Sequence, residues 1–322
     1  MAVKPFDEVF RAVNNGRDAY KVFSDEIYTD SNFFELDIPE MPLIIEPWLR
    51  ENYFVMISAQ YGIGKTWFIL ELATIIAKGG EMGQWRGITQ HDSLIIDGEM
   101  LGNEMQARLI GLGKNRPFNE HNIHIICSMM LSQKRITSPN FADAIWQNGL
   151  IKYLDKNKSI KVIFFDNVSS LVSGIDENSK QDWDPVNQFF LRLKGLGLTV
   201  ILVHHHGKET GKGQRGTISR LDNVDIHITL TKPPGYNKKR DGAKFIMRFD
   251  KARGITGDAV EEYTFQLKDL PDGEKRLQTT FTTKKEEAIN MMHDGKTNKE
   301  IVDELQTTDS YVSRIRGEAT NE

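Results

Sequence analysis

Apolar residues in this chain come in short unbroken runs, separated by stretches with helical spacing. The runs at 54–58, 93–96, 123–127, 161–165 and 199–203 read as strands. Continuous rather than alternating apolar character marks strands buried on both faces of a parallel sheet. Between them, 104–112, 141–154 and 183–196 carry helix-like patterns. This alternation predicts an α/β fold with a parallel central sheet and helices on both faces. After residue 203 the rhythm changes. Residues 224–231 and 244–250 predict a strand pair joined by a turn-rich segment, and 263–268 predict one more strand. The Pro-Asp-Gly turn at 271–273 marks the expected end of this core, which then spans 41–275. Residues 1–40 are polar with scattered aromatics. They predict one or two short helices and a loop around Ser31 and Asn32, forming an arm that packs on the core or on a neighbour.

Residues 276–322 predict a small helical module. Its helices are 285–292, 299–305 and 309–316, the second opened by the capping-box pattern Thr297-Asn-Lys-Glu300. Three short helices with a tight turn before the last resemble a helix-turn-helix unit. Tyr311, Ser313, Arg314 and Arg316 fall on the last helix, where they would either contact DNA or serve a protein-docking module.

Composition narrows the setting. The chain has 322 residues, enough for one large domain plus something small, and a formal net charge of −4. With no global basic field, any nucleic acid must meet a local patch. Residues 205–253 supply one, with 12 Lys/Arg against 5 Asp/Glu. The single cysteine, Cys127, rules out a disulfide within the chain and reads as a small buried hydrophobe. No apolar run reaches membrane-spanning length and the N-terminus lacks the apolar core of a signal peptide, so a cytoplasmic protein without membrane contact is expected.

The chemistry concentrates at the ends of the predicted strands. Ala59-Gln-Tyr-Gly-Ile-Gly-Lys-Thr66 joins the first of them to a helix, the context a phosphate-binding loop requires. Glycines let backbone N–H groups wrap a phosphate, and the helix N-terminus adds favourable partial charge. Ala59, Gln60, Tyr61, Gly62, Ile63, Gly64, Lys65, Thr66 and Trp67 are therefore the expected nucleotide-binding residues. Lys65 would reach the β- and γ-phosphates of ATP and the Thr66 hydroxyl would hold Mg²⁺. Asp166 ends another apolar strand and is the expected second Mg²⁺ support. Glu99 follows the strand at 93–96 and is the expected general base, with Asp97 as runner-up. His204, His205 and His206 end a fourth strand. Neighbours on a strand point to opposite faces, so the three cannot chelate one ion. One of them, His205 or His206, is expected to sense the γ-phosphate.

Several motifs together are similar to those of RecA-like ATPases, and among these to the RepA-type hexameric replicative helicases of plasmids and phages. They are Pro42-Leu-Ile-Ile-Glu-Pro-Trp-Leu before the loop, Asp97-Gly-Glu-Met with Arg108 downstream, Asp166, Asp176-Glu-Asn178, and His-His-Gly-Lys208 followed by Arg215-Gly216. The likeness spans about 41–270. Ala59 in the loop and the tripled histidine depart from the pattern. The resemblance implies a RecA-like P-loop core and a homo-oligomeric ring, expected to be a hexamer. It also implies translocation on single-stranded DNA, and a replication initiator or primase as a further partner. Phe249-Asp-Lys251-Ala-Arg253-Gly resembles the Lys-x-Arg element that ring helicases insert into the neighbouring ATP site. Arg253 would then act in trans, assisted by Lys251, because a planar guanidinium offers bidentate donors to a phosphoryl group. The Gly-rich basic stretch 209–220 follows the sensor strand. In the resembled family a loop here lines the central channel, which singles out Lys212, Arg215 and Arg220 for DNA, with nucleotide contact as the alternative for Arg215. Two other function classes remain open at this level: an ATP-switched DNA-binding regulator or recombination mediator, and a nucleotide-switched scaffold.

Overall fold

The structure, a computed structural model, describes residues 19–116, 120–176, 179–205, 223–233, 236–281, 284–293 and 295–319. Nine strands form one sheet. In chain order they are β3 (Phe54–Ala59), β6 (Asp92–Asp97), β7 (Ile123–Cys127), β8 (Ile160–Asp166), β9 (Thr199–His205), β10 (Ile226–Thr231), β11 (Lys244–Ala252), β12 (Tyr263–Asp269) and β13 (Lys275–Phe281). Across the sheet the order is β13-β12-β11-β10-β3-β9-β8-β6-β7. From β10 to β7 every neighbouring pair is parallel, and β10 to β13 are antiparallel. A second, four-stranded sheet of very short strands holds β1 (Leu43–Glu46), β2 (Leu49–Arg50), β4 (Glu81–Met82) and β5 (Trp85–Gly87). Strands of two to four residues are too short to leave a pattern in the sequence.

The sheet is buried on both sides, as its apolar runs predict. Val55, Ile57, Phe164 and Ile201 face one core, with α3 (Lys65–Lys78) and α4 (Gly102–Gly113). Their neighbours Phe54, Met56, Phe165 and Leu202 face the other, where α6 (Ala144–Lys156), α7 (Val168–Leu171) and α8 (Lys180–Gly195) pack. Side chains alternate across a strand with period two, so each apolar run feeds both cores. Between β7 and α6 lies the short α5 (Ser128–Gln133), and between β10 and β11 the single turn α9 (Lys238–Asp241). Among the described residues, no helix is long and apolar enough to cross a membrane.

The boundary expected near residue 275 lies elsewhere. The turn at 271–273 is the hairpin between β12 and β13, and β13 pairs with β12 from Asp269↔Lys275 to Thr264↔Phe281. A Pro-Asp-Gly turn serves a hairpin as well as a linker, and the polar threonines after it lie on the outermost strand. Only then come α10 (Lys284–His293), α11 (Asn298–Leu305) and α12 (Asp309–Ala319), closed around their own core of Ala288, Met291, Ile301, Leu305, Val312 and Ile315. The capping box forms as read, with Thr297 and Glu300 exchanging side-chain and backbone bonds. Before the first sheet stand α1 (Ala19–Glu26) and α2 (Asp30–Phe34). Ser31 and Asn32, read as a loop, sit inside α2, because Thr29 caps it by accepting the Asn32 N–H. Phe23, Ile27, Phe33, Phe34 and Ile38 of this arm are all exposed.

Candidate nucleotide site at the strand ends

The C-terminal ends of β3, β9, β8 and β6 lie side by side, the rim where ligands bind in open α/β sheets. Ala59 is the last residue of β3 and is fully buried in the core. The mild departure from glycine there is harmless, because the backbone has not yet left the strand. The tight part of the loop is Gly62 and Gly64, at φ +74° and +106°. Gly64 is doubly constrained, since a Cβ there would lie 2.5 Å from the Ala243 Cβ. Helix α3 starts at Lys65 with no side-chain cap, which leaves its first N–H groups for a ligand. The segment between β10 and β11 braces the loop. The Tyr236 hydroxyl lies 2.8 Å from the Gly242 carbonyl and 3.5 Å from that of Gly62. Nothing local in the sequence links residues 236–243 to the loop.

Buried charge converges just behind it. The Lys65 ammonium lies 2.8 Å from Asp166 Oδ1 and 3.2 Å from His205 Nε2. Both Lys65 and Asp166 are buried. Asp97 stands opposite Asp166 in register. Its Oδ1 accepts the N–H groups of Glu99 and Met100, at 3.2 and 2.7 Å. Asp97 therefore shapes the turn that presents Glu99, which favours Glu99 over Asp97 as the group facing water. Burial, helped by the neighbouring Asp166 charge, pushes the Asp97 carboxyl up to about 6 against those two N–H bonds.

Glu99 is half exposed, and its Oε1 accepts the Ser170 hydroxyl at 2.7 Å while Oε2 lies 3.8 Å from His205 Nε2. Burial raises its carboxyl, but hydrogen bonds from Ser170 and Asn167 and the nearby Lys65 charge outweigh that, and the net direction is down. Glu99 is thus an ionised acceptor at neutral pH. Burial first, then the Lys65 charge, lowers the His205 imidazole, which is neutral at that pH. Of the two described histidines here, His205 lies beside Lys65 and Glu99, and His206 lies outside the described residues. Ser170 and Asn167 were not legible as site residues. The one available signal is that Asn167 directly follows Asp166.

Other expected residues fall elsewhere. Trp67 is held between two cations, 4.8 Å from the Arg108 guanidinium and 5.9 Å from the Lys275 ammonium. Lys251 and Arg253 lie at the far end of the sheet. Ile226 pairs with both Val55 and Ala252, whereas Leu230 pairs with Ala59. Four residues of strand, about 13 Å, separate those levels, so Arg253 is beyond reach of the loop in its own chain. It lies 3.1 Å from Asp225, which also takes Lys194 at 2.6 Å. Lys212, Arg215 and Arg220 lie outside the described residues. In the C-terminal module, Arg316 donates to Asn298 Oδ1 at 2.8 Å and Asn298 donates to the Ser313 hydroxyl at 3.1 Å. Those two side chains hold α12 to the start of α11 rather than presenting a reading face.

Thr66 is the second residue of α3 and follows Lys65, the partner of Asp166. A hydroxyl and a carboxylate are the hard oxygen donors that Mg²⁺ takes alongside phosphate oxygens, so this pair fits that ion.

No curated protein matches the chain. Among solved structures, the flagellar accessory protein FlaH from Methanocaldococcus jannaschii aligns over 70% of this chain and 89% of its own, at 15% identity and a TM-score of 0.45. The AAA domain pattern matches residues 21–211, a segment that contains the loop, the acids and His205. With more than half of its length matched in this way, the chain belongs to the AAA domain family, an ATPase family whose nucleotide fits the loop at Gly62–Thr66.

Proposed function

We propose that this protein is a DNA motor that assembles into a ring and hydrolyses ATP between subunits, acting as a replicative helicase on single-stranded DNA. The observation that carries the reading is the separation of its parts. Lys65, Asp166, Glu99 and His205 cluster at one end of the sheet, and Arg253 stands at the other. If Arg253 is the guanidinium that meets the γ-phosphoryl, it must come from a second copy.

Glu99 would orient water against the γ-phosphorus and accept its proton, while the bond to the β-phosphate oxygen breaks and ADP leaves. Lys65 and the α3 N-terminus would hold the phosphates. Mg²⁺, when held by Thr66 and Asp166, would neutralise charge on the β- and γ-oxygens. Arg253 is 62% exposed at its side chain, so its pair with Asp225 is worth at most about 1 kcal/mol and a neighbour's phosphate can compete for it.

Self-association is supported by the arm. Residues 19–40 carry six acids and one lysine, along with the exposed aromatics. The stretch 101–136, which includes edge strand β7, carries five Lys/Arg against two acids and exposes Ile110 and Ile125. Opposite charge and unpaired apolar surface on both segments suit contact between copies. The basic excess in 205–253 supplies the phosphate attraction that DNA requires.

The test is steady-state ATP hydrolysis with and without single-stranded DNA. Wild type is compared with Arg253→Ala, with Lys65→Ala, and with an equimolar mixture of the two variants. DNA-stimulated turnover, lost in each variant and partly restored by mixing, is the expected result. The loss at Arg253 should be about 10³-fold or more. Turnover indifferent to DNA, or untouched by Arg253→Ala, would contradict the motor.

A further inference from the structure

The Tyr61 ring lies flat on the His205 imidazole, with centroids 4.1 Å apart and planes 12° apart. Tyr61 belongs to the phosphate loop and is 62% exposed, whereas His205 is the last residue of β9. The stack therefore joins two elements that approach the phosphate site from different strands.

The hydrogen bonds of His205 do not fix its ring. Its Nε2 lies 3.2 Å from the Lys65 ammonium. An ammonium has donors only, so Nε2 accepts and the ring proton is on Nδ1. That Nδ1 is buried and has no hydrogen-bond partner among the described residues. Glu99 Oε2, at 3.8 Å from Nε2, is beyond hydrogen-bonding distance. Among the described residues, one hydrogen bond orients the imidazole edge, and it goes to a lysine that must itself turn to a phosphate. When Lys65 leaves, the contact that remains is the Tyr61 face.

We propose that Tyr61 is a positioning residue for the hydrolysis reaction, acting through His205. The loop aims the imidazole edge at the place where Lys65 meets the γ-phosphate, and any shift of the loop on nucleotide binding is transmitted to the end of β9. This rests on ATP hydrolysis at the loop and is independent of ring assembly and of DNA. The aromatic face of Tyr61, not its hydroxyl, is what the geometry uses.

Two measurements test it. In the nucleotide-free protein, the His205 ring protons, assigned by comparison with His205→Ala, should be shifted upfield by the Tyr61 ring current. Tyr61→Ala should abolish that shift and Tyr61→Phe should keep it. In steady-state hydrolysis Tyr61→Ala should lower kcat about tenfold, the size expected of one aromatic pair, with little change in KM for ATP. Tyr61→Phe should restore the rate, and Tyr61→Leu should not. In the His205→Ala background, Tyr61→Ala should add nothing further. Ring protons that ignore Tyr61→Ala, losses that add in the double variant, or an effect confined to KM would each overturn the proposal. If wild type hydrolyses no ATP, the proposed function falls, while the ring-current measurement still decides whether Tyr61 orients His205.

Discussion

Helix α3 meets buried charge at its start and again at its middle, and the two are handled differently. At the start, Lys65 is divided between Asp166 and His205, the helix has no side-chain cap, and His205 Nδ1 has no partner among the described residues. Further along, one oxygen of the buried Glu71 carboxylate is paired with Arg116, and the other has no hydrogen-bond partner among the described residues. Arg116 also donates to the Gly79 carbonyl at 2.7 Å, which closes the helix C-terminus, and Arg276 donates to the Leu112 carbonyl at 2.8 Å while pairing with Glu274. Beside this second cluster opens a cavity of about 830 Å³, lined by Arg86, Arg116 and Arg276 among others. Its size does not make it the functional site, because the Arg116 and Arg276 guanidinium groups already have carboxylate and carbonyl partners. The uncapped N–H groups at the start of α3 are open to a phosphate, whereas the guanidinium groups of the second cluster already hold their acceptors within the chain.

Breaking the closed end should cost the most stability. Arg116→Ala leaves Glu71 buried without its cation, and denaturant unfolding should show a loss of about 3–5 kcal/mol. Replacing both partners together, as Glu71→Leu with Arg116→Met, should recover most of it. The open end should be read by activity. Lys65→Met should reduce kcat for ATP by about 10²–10³-fold. It also leaves the buried Asp166 without its cation, so the unfolding midpoint should fall as well. If turnover survives Lys65→Met, the contrast between the two ends is wrong.

Gly64→Ala sharpens the comparison at the loop itself. A left-handed backbone costs a non-glycine residue about 1–2 kcal/mol, and the new methyl would meet Ala243. ATP affinity measured by calorimetry should fall, whereas Gly113→Ala, with open space at its Cβ, should be silent.

The closed end should also show a pH dependence. Burial, against the Arg116 charge, raises the Glu71 carboxyl from 4.5 to about 7. A raised carboxyl holds its proton more tightly folded than unfolded, so its contribution to stability falls as pH rises from about 4.5 to about 7. Glu71→Gln cannot ionise. Unfolding free energies measured across that window should shift progressively in the variant's favour as pH rises, and a constant difference would show that Glu71 does not titrate there.

What was legible in the sequence is what lies close along the chain. The apolar runs that became β3, β6, β8 and β9, the loop from Ala59 to Thr66, and the acids at strand ends are each written within a few residues. The capping box Thr297 to Glu300 is of the same kind. What was missed depends on partners far apart: Ala243 against Gly64, Tyr61 on His205, Ser170 holding Glu99, and Arg116 on Glu71. The hairpin at 271–273 misled because a turn between paired strands and a turn between domains use the same residues. That Ser313 and Arg316 bond to Asn298 was likewise not legible, because only the folded module brings them together.

The most direct test of the account is calorimetric titration of ATP with Mg²⁺ into wild type, Lys65→Met and Arg276→Met. Wild type and Arg276→Met should bind with similar affinity, while Lys65→Met loses binding, as the open end of α3 requires. Equal binding by Lys65→Met, or loss of binding in Arg276→Met with its fold intact, would place the nucleotide at the other end of the helix and contradict the account.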